Sequence, residues 1–507
     1  MTEDLSLRRH RSARPASRPT LTPARGSFLL AVIVGTLLRV WLLSTSSGLT
    51  MDSPLYVNMA EAAARGEPAL GPAHHGYPWL IALAHLAIHG REWPGRIVSL
   101  VAGVALLVLA WPLARRSLTP GWASLAVWLL ALHPLLAVWS GAVMTEALFI
   151  ALIYGALLLL DRHRLAAGAT LGLGFVVRPE ALVIAPAMAA TAGRRDVWLV
   201  LAGFALVVAP YLGYVRWERG SWSLGPKVAL VRPMFENERA REWRIGATQS
   251  PPPAEPTSLV PRLLWAAPSI ARSYVPNGMR HLGLLVDAWP PPLLLLSLLG
   301  LTGRRWVLLA PLAPLLVLPL LSVAFEIRFA QIFVPALALL AAQGSAWIVA
   351  RPAWRRPEAV AAIVAVAALG TGWAWAGPAG RVARHFDDGP MAQMRDAGVW
   401  LAAHGRPDAV VMDRKAYVPF FAGMRHVQLP DDDYDALVAF AQRSADYLVI
   451  EEYLVATLRP QLLPLVNDPE FRNRERRLRA AYVTGEEPGT GIAVFEVVRD
   501  SLAAPRR

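Results

Sequence analysis

Ten residues stand out as able to do chemistry, and they fall in short clusters along an otherwise apolar chain. Asp52 and Tyr56 lie in MDSPLYVNM, and His74, His75 and Tyr77 in AHHGYPW. Glu146 lies in MTEALF, Arg178 and Glu180 in VRPEAL, and Glu326 and Arg328 in FEIRFAQ. A carboxylate at such a position can take a proton from a hydroxyl nucleophile. A guanidinium can hold a phosphate through two parallel N–H donors. Each cluster also has a plainer reading. Asp52 or Ser53 can cap the helix that Pro54 opens, and Glu146 can favour the positive end of a helix begun by Thr145. Arg178 with Glu180, and Arg328 with Glu326, can be structural ion pairs. His74 and His75 point in different directions, and a metal site needs three or four convergent ligands. A turn in which one histidine hydrogen-bonds a substrate fits the pair better. The phosphate-cradling pattern GxxxxGK[ST] is absent, so a nucleoside triphosphate has no support. No cofactor is indicated, and a divalent metal has no ligand set behind it.

The elements that must position these residues are set by lipid. Of 507 residues 55% are hydrophobic and 17% charged, with a mean hydropathy of +0.39, whereas soluble domains carry about 25% charge. Apolar segments of membrane-crossing character run over 27–44, 96–114, 121–139, 146–160, 165–177, 181–193, 197–215, 281–302, 306–324, 329–350 and 358–376. These predict a mainly α, polytopic membrane protein of about eleven spans. With the N-terminus inside, the short cytoplasmic connections carry Arg115, Arg116, Arg162, Arg164, Arg194, Arg195, Arg304, Arg305, Arg351, Arg355 and Arg356. The positive-inside rule therefore accounts for much of the +13 charge, and nucleic acid is not an expected partner. Every candidate residue then falls on the outer side, where an arginine invites an anionic partner such as a lipid phosphate.

The division that follows is a basic cytoplasmic tail over 1–26, a membrane domain over 27–377 with outer loops 45–95 and 216–280, and an outer domain over 378–507. Residues 77–90 are too short and too interrupted by His85 and His89 for a span, and suit an interfacial or re-entrant helix. In the outer domain MAQMRDAGVWLAAHG and YDALVAFAQRSA read as helices and AVVMD and DYLVIEEY as strands, which predicts an α/β fold with a partly parallel sheet. The run Asp431–Asp433 suits an acidic helix start better than a metal site. The absence of cysteine excludes disulfides and thiolate catalysis.

In order and spacing these segments resemble the multispanning glycosyltransferases of the GT-C fold, family-39 type, which includes protein mannosyltransferases and lipid A aminoarabinose transferases. The carriers are Asp52 with Tyr56, HHGYPWLIALAHL ahead of EWPGRIVSLVAGVALLVLAWPLARR, MTEALF, RPEAL and EIRFAQIFVPALALLAA, over roughly residues 27–350. The resemblance implies inverting transfer of a sugar from a polyprenyl phosphate to a lipid, glycan or protein acceptor at the outer membrane face. It implies Asp52 as base, Glu146 as a second acid, and Arg328 with Arg178 as partners of the phosphate. Tyr56, His74, His75, Tyr77, Glu180 and Glu326 would line the substrate site. Two departures stand out: His75-Gly76-Tyr77-Pro78 where the family often has His-Pro-Pro, and Arg328-Phe329 where it often has Arg-Tyr. High Ala, Leu and Arg usage suggests a bacterial inner membrane. The competing readings are a lipid or solute transporter, which would show repeated halves and mid-membrane polar residues, and a non-catalytic scaffold.

Overall fold

The computed structural model describes residues 23–69, 71, 73–220, 222–223, 259–302, 306–320, 326–388, 390–430, 432–452, 455, 459–484 and 491–499. Expectations placed on the tail before residue 23, on most of the 216–280 loop, and on Arg304, Arg305 and Asp431 lie outside the described residues. The first helices are α1 (Pro23–Thr45), α2 (Ser53–Ala64), α3 (Gly76–Ala84), α4 (Trp93–Arg115), α5 (Pro120–Ala131), α6 (Pro134–Trp139), α7 (Glu146–Leu159), α8 (Arg164–Val177), α9 (Ala181–Thr191) and α10 (Val197–Arg219). The described parts of the eleven apolar segments are largely helical. Among the described residues four helices, α1, α4, α10 and Pro357–Ala376, are long and apolar enough to cross a bilayer. Six more apolar helices have 10–17 residues, short of the ~20 that a bilayer core requires, so helix length alone does not establish eleven crossings.

Proline explains where expected continuous spans break. The 281–302 segment is not one rod: Ile270–Ala288 meets Pro291–Gly300 at a bend of 103°, across three successive prolines, 290–292, that remove helix donors. The 121–139 segment splits into α5 and α6 at His133–Pro134, because Pro134 cannot donate to the Leu130 carbonyl. Arg39 of α1, fully buried, fills that gap. Its Nη2 donates to Leu130 O at 3.3 Å and its Nη1 to Ala131 O at 3.1 Å. A charge inside the bundle is thus satisfied by carbonyls the break leaves over.

In lipid, helices associate through close packing rather than hydrophobic exclusion, which favours small residues at crossings. A Cβ on Gly168 of α8 would strike the Val200 carbonyl of α10, and one on Gly203 of α10 would strike the Leu165 carbonyl of α8. The crossing therefore depends on glycine on both sides. At one end of the bundle lie α2 and α3. Tyr77, Pro78 and Ile81 of α3 are buried while Trp79, Leu80 and Leu83 are exposed, so this helix packs on one face and is open on the other.

The C-terminal sheet has strands β1 (Val410–Asp413), β2 (Arg425–Gln428), β3 (Tyr447–Glu451), β4 (Leu478–Thr484) and β5 (Ile492–Val497) in the order β2-β1-β3-β5-β4. The first three pair in parallel and β5 runs antiparallel to β3 and β4, which is the partly parallel sheet expected. Asp433 caps the Tyr434–Ser444 helix by accepting from Ala436 N at 2.8 Å, as its place at an acidic helix start predicts. This domain rests against one end of the bundle. Ser47, just past α1, donates its N–H and hydroxyl to Asp387 at 2.6 and 2.5 Å. Arg91 lies over the Phe420 ring at 4.2 Å.

Candidate active site

Asp52 stands at the N-terminus of α2, and its carboxylate makes no capping bond there. The turn is held by Ser53 instead, whose hydroxyl accepts from Thr50 N at 2.8 Å and donates to Val143 O at 3.0 Å. Asp52 can therefore point toward other elements. Arg328 Nη2 donates to its Oδ2 at 3.1 Å, and Lys415 Nζ donates to its Oδ1 at 2.5 Å. Arg328 comes from the short 3-10 helix Ile327–Ile332 before the Val334–Ala350 helix and also pairs with Glu326, Nε to Oε2 at 2.7 Å. Lys415 comes from the loop after β1 of the C-terminal domain. One carboxylate thus joins three distant parts of the chain.

A second cluster lies beside the first. Arg178, at the end of α8, pairs with Glu146 at the start of α7, Nη1 to Oε1 at 2.7 Å, and with Glu180, Nη2 to Oε1 at 2.5 Å. Its Nη1 also donates to Thr145 Oγ1 at 3.0 Å. The short-range pairs that the sequence suggests both form, and each is extended by an acid from elsewhere. Phe329 separates the clusters, its ring centroid 6.0 Å from the Arg178 guanidinium and 5.3 Å from that of Arg328. Burial opposes the charge on Arg328, and Glu326 and Asp52 more than offset it, holding the guanidinium above its usual pKa. Tyr56 is buried among these groups. Burial, with Asp52 and Glu146 adding to it, pushes its phenol above the ordinary range, so the hydroxyl remains a donor.

A narrow cleft is lined by Glu146, Arg178, Glu180, Arg328 and Gln331 against walls of Phe149, Ile150, Phe329 and Phe333. Arg328 faces both this cleft and Asp52, whereas Asp52 is outside its lining. The arrangement presents an acid beside two cations, next to a half-apolar cleft. It can accept a proton at Asp52 and can hold an anion at Arg328 and Lys415. Among the described residues no three or more histidines and carboxylates converge as a metal-holding set.

The other sequence-predicted residues lie apart from Asp52. Tyr77 donates to Gly95 O at 2.9 Å and shares a 2.8 Å hydrogen bond with Ser99, with its ring edge-on to Tyr56 at 5.5 Å. His74 Nδ1 lies 2.8 Å from Phe175 O of α8. His75 meets Tyr211 OH at 3.1 Å and Glu218 at 3.0 Å, both on α10, with the His75 and Glu218 side chains fully buried. The structure therefore brings together Asp52, Tyr56, Glu146, Arg178, Glu180, Glu326 and Arg328, and places His74, His75 and Tyr77 in the packing beneath them. Lys415 is the residue the sequence reading misses. Two signals marked it: of fifty basic residues only Lys227 and Lys415 are lysines, and Lys415 follows a parallel strand, where α/β folds present ligand groups.

Residues 75–214 match the family described as dolichyl-phosphate-mannose-protein mannosyltransferase, and no curated protein sequence matches the chain. Among solved structures, the apo oligosaccharyltransferase of Archaeoglobus fulgidus superposes with a TM-score of 0.59 at 13% identity, covering 95% of this chain and 75% of that one. ArnT from Cupriavidus metallidurans bound to undecaprenyl phosphate gives 0.55 at 13% identity, with 95% and 99% covered. The A. fulgidus oligosaccharyltransferase AglB in complex with an inhibitory peptide and a dolichol-phosphate gives 0.53 at 13% identity, with 95% and 75% covered. The chain has the GT-C fold of these membrane proteins, with a C-terminal α/β domain.

Proposed function

We propose that the protein is a membrane glycosyltransferase that moves a sugar from a polyprenyl phosphate to an acceptor hydroxyl or amine. In this reaction the acceptor atom attacks the anomeric carbon from the face opposite the phosphate. The carbon–oxygen bond to phosphate breaks, its electron pair stays on the phosphate oxygen, and the polyprenyl phosphate leaves with one more negative charge. Asp52 takes the acceptor's proton. The transition state is oxocarbenium-like, and Arg328 stabilises the charge that develops on the departing phosphate. Such a leaving group needs no protonation, so one carboxylate suffices as base. Tyr56 offers a hydroxyl donor toward sugar or phosphate, and Glu146 with Glu180 fixes Arg178 at the cleft.

The observation that carries this reading is Asp52: an acid that caps nothing and is held between two cations beside a half-apolar cleft. The GT-C fold supports it, because one neighbour was solved with undecaprenyl phosphate and another with a dolichol-phosphate. We place the site at the outer face of a bacterial inner membrane, a reading that the pattern of basic connections supports. The donor is a polyprenyl-phosphate sugar and the acceptor a lipid, glycan or protein; the reaction needs no cofactor. The test is sugar transfer by protein in nanodiscs from labelled polyprenyl-phosphate sugars to a membrane and envelope extract, with and without EDTA. Transfer that persists in EDTA is expected. Absence of transfer from any donor by folded protein would sink the proposal, and loss of transfer in EDTA would sink its metal-free form.

A further inference from the structure

A cation on each oxygen of Asp52 lowers its basicity, so moving one of them away would make it a stronger base. Arg328 Nη2 stands 3.1 Å from Oδ2 and Lys415 Nζ 2.5 Å from Oδ1. Arg178 is also held by two acids, Glu146 and Glu180, but is not in contact with Asp52. Of the two cations on Asp52, Lys415 is the more exposed, at 34% against 14% for Arg328. It is also the type suited to changing partners: a compact ammonium on a flexible stem rather than a planar fork. Its backbone, by contrast, is fixed. Lys415 N–H donates to Asp413 Oδ1 at 3.2 Å, and Gln428 Nε2 donates to the adjacent Arg414 O at 2.8 Å.

We propose that Lys415 is a ligand of the donor's phosphate, moving to it from Asp52 as the donor binds, so that docking the leaving group also unmasks the base. This rests on the glycosyltransferase reading and assigns the C-terminal domain a part in it, since that domain supplies the cation. The charge balance of the reaction fits. During transfer Asp52 gains a proton and loses its negative charge, while the phosphate gains one, so the same two cations stay compensated throughout. Lys415 thus touches the carboxylate before the reaction and the phosphate during it.

The test is equilibrium binding of undecaprenyl phosphate to the full chain in neutral-lipid nanodiscs, for wild type, Lys415→Met, Lys415→Arg and Asp52→Asn. Losing one charge-assisted contact should weaken binding on the order of 10-fold in Lys415→Met, with Lys415→Arg closer to wild type. Asp52→Asn removes the competing anion and should bind more tightly than wild type, a gain that misfolding cannot imitate. An unchanged Kd in Lys415→Met, or no gain in Asp52→Asn, overturns the inference while leaving the glycosyltransferase reading intact. If wild type itself binds no polyprenyl phosphate, both fall together.

Discussion

The Glu146–Arg178–Glu180 cluster should respond very unequally to loss of its members. Arg178 and Glu146 are buried, with side-chain exposures of 6% and 5%, whereas Glu180 is 22% exposed. Arg178→Met leaves the Glu146 carboxylate buried with only a long 3.4 Å contact from Thr145 Oγ1. Breaking a buried pair from one side costs about 3–5 kcal/mol. Glu146→Gln keeps the shape and leaves Arg178 its bond to Glu180, so the loss should be about 1 kcal/mol. In the double variant no deeply buried charge is stranded, and the total should be about 1–2 kcal/mol rather than the sum of the singles. The cycle therefore predicts a coupling of about 2–5 kcal/mol between Glu146 and Arg178. Denaturant titrations at fixed mixed-micelle composition would measure it. Additivity of the two single losses to within about 0.5 kcal/mol would refute the reasoning, because it would mean that water or another group already compensates Glu146.

Two further predictions concern other parts of the fold. Asp413 and Glu451, at the ends of the parallel strands β1 and β3, are buried facing each other; burial raises both carboxyls, and Asp413 raises Glu451 further, well above the carboxylate range. Below the ordinary carboxylate pKa this contribution to stability is fully present. As pH rises past it the unfolded chain releases a proton that the folded pair retains, so stability falls by about 1.4 kcal/mol per unit until the folded pair ionises. Thermal unfolding across pH 5–9 should show that slope, and Glu451→Gln should flatten it; a variant with the wild-type slope would refute the pairing. At the α8–α10 crossing, Gly203→Leu should push the helices apart and lower the thermal midpoint, whereas Gly213→Leu on the same helix, which meets nothing within 4 Å, should not. Equal midpoints for the two would contradict the close crossing.

What the sequence discloses follows from which interactions are local. The apolar helices and the Asp433 cap depend on neighbours in the chain, and both were readable. So were the Arg178–Glu180 and Arg328–Glu326 pairs, two residues apart. The partners of Asp52 were not, because Arg328 and Lys415 lie 276 and 363 positions away and only the folded chain brings them together. His74 and His75 invited a functional reading because polar side chains in an apolar segment do. Their partners, the Phe175 carbonyl and Glu218, again lie on helices distant in sequence. Strand β2 escaped notice because it is four residues long and half exposed. Strand β4 is exposed along much of its length, including at Ala480, Ala481 and Val483, which blurs its alternation. The splits at Pro134 and at prolines 290–292 were written in the sequence but outweighed by hydropathy averaged over whole segments.

The account centres on Asp52 as the group that takes the acceptor's proton. Its most direct test compares sugar transfer by wild type and Asp52→Asn in the same nanodiscs, at saturating donor, with the variant verified as folded and able to bind polyprenyl phosphate. The account predicts a fall of at least about 10² in turnover, the scale expected for a lost general base, without loss of donor binding. Turnover within a few-fold of wild type would contradict it, and would leave Asp52 as a structural tie between the membrane bundle and the C-terminal domain.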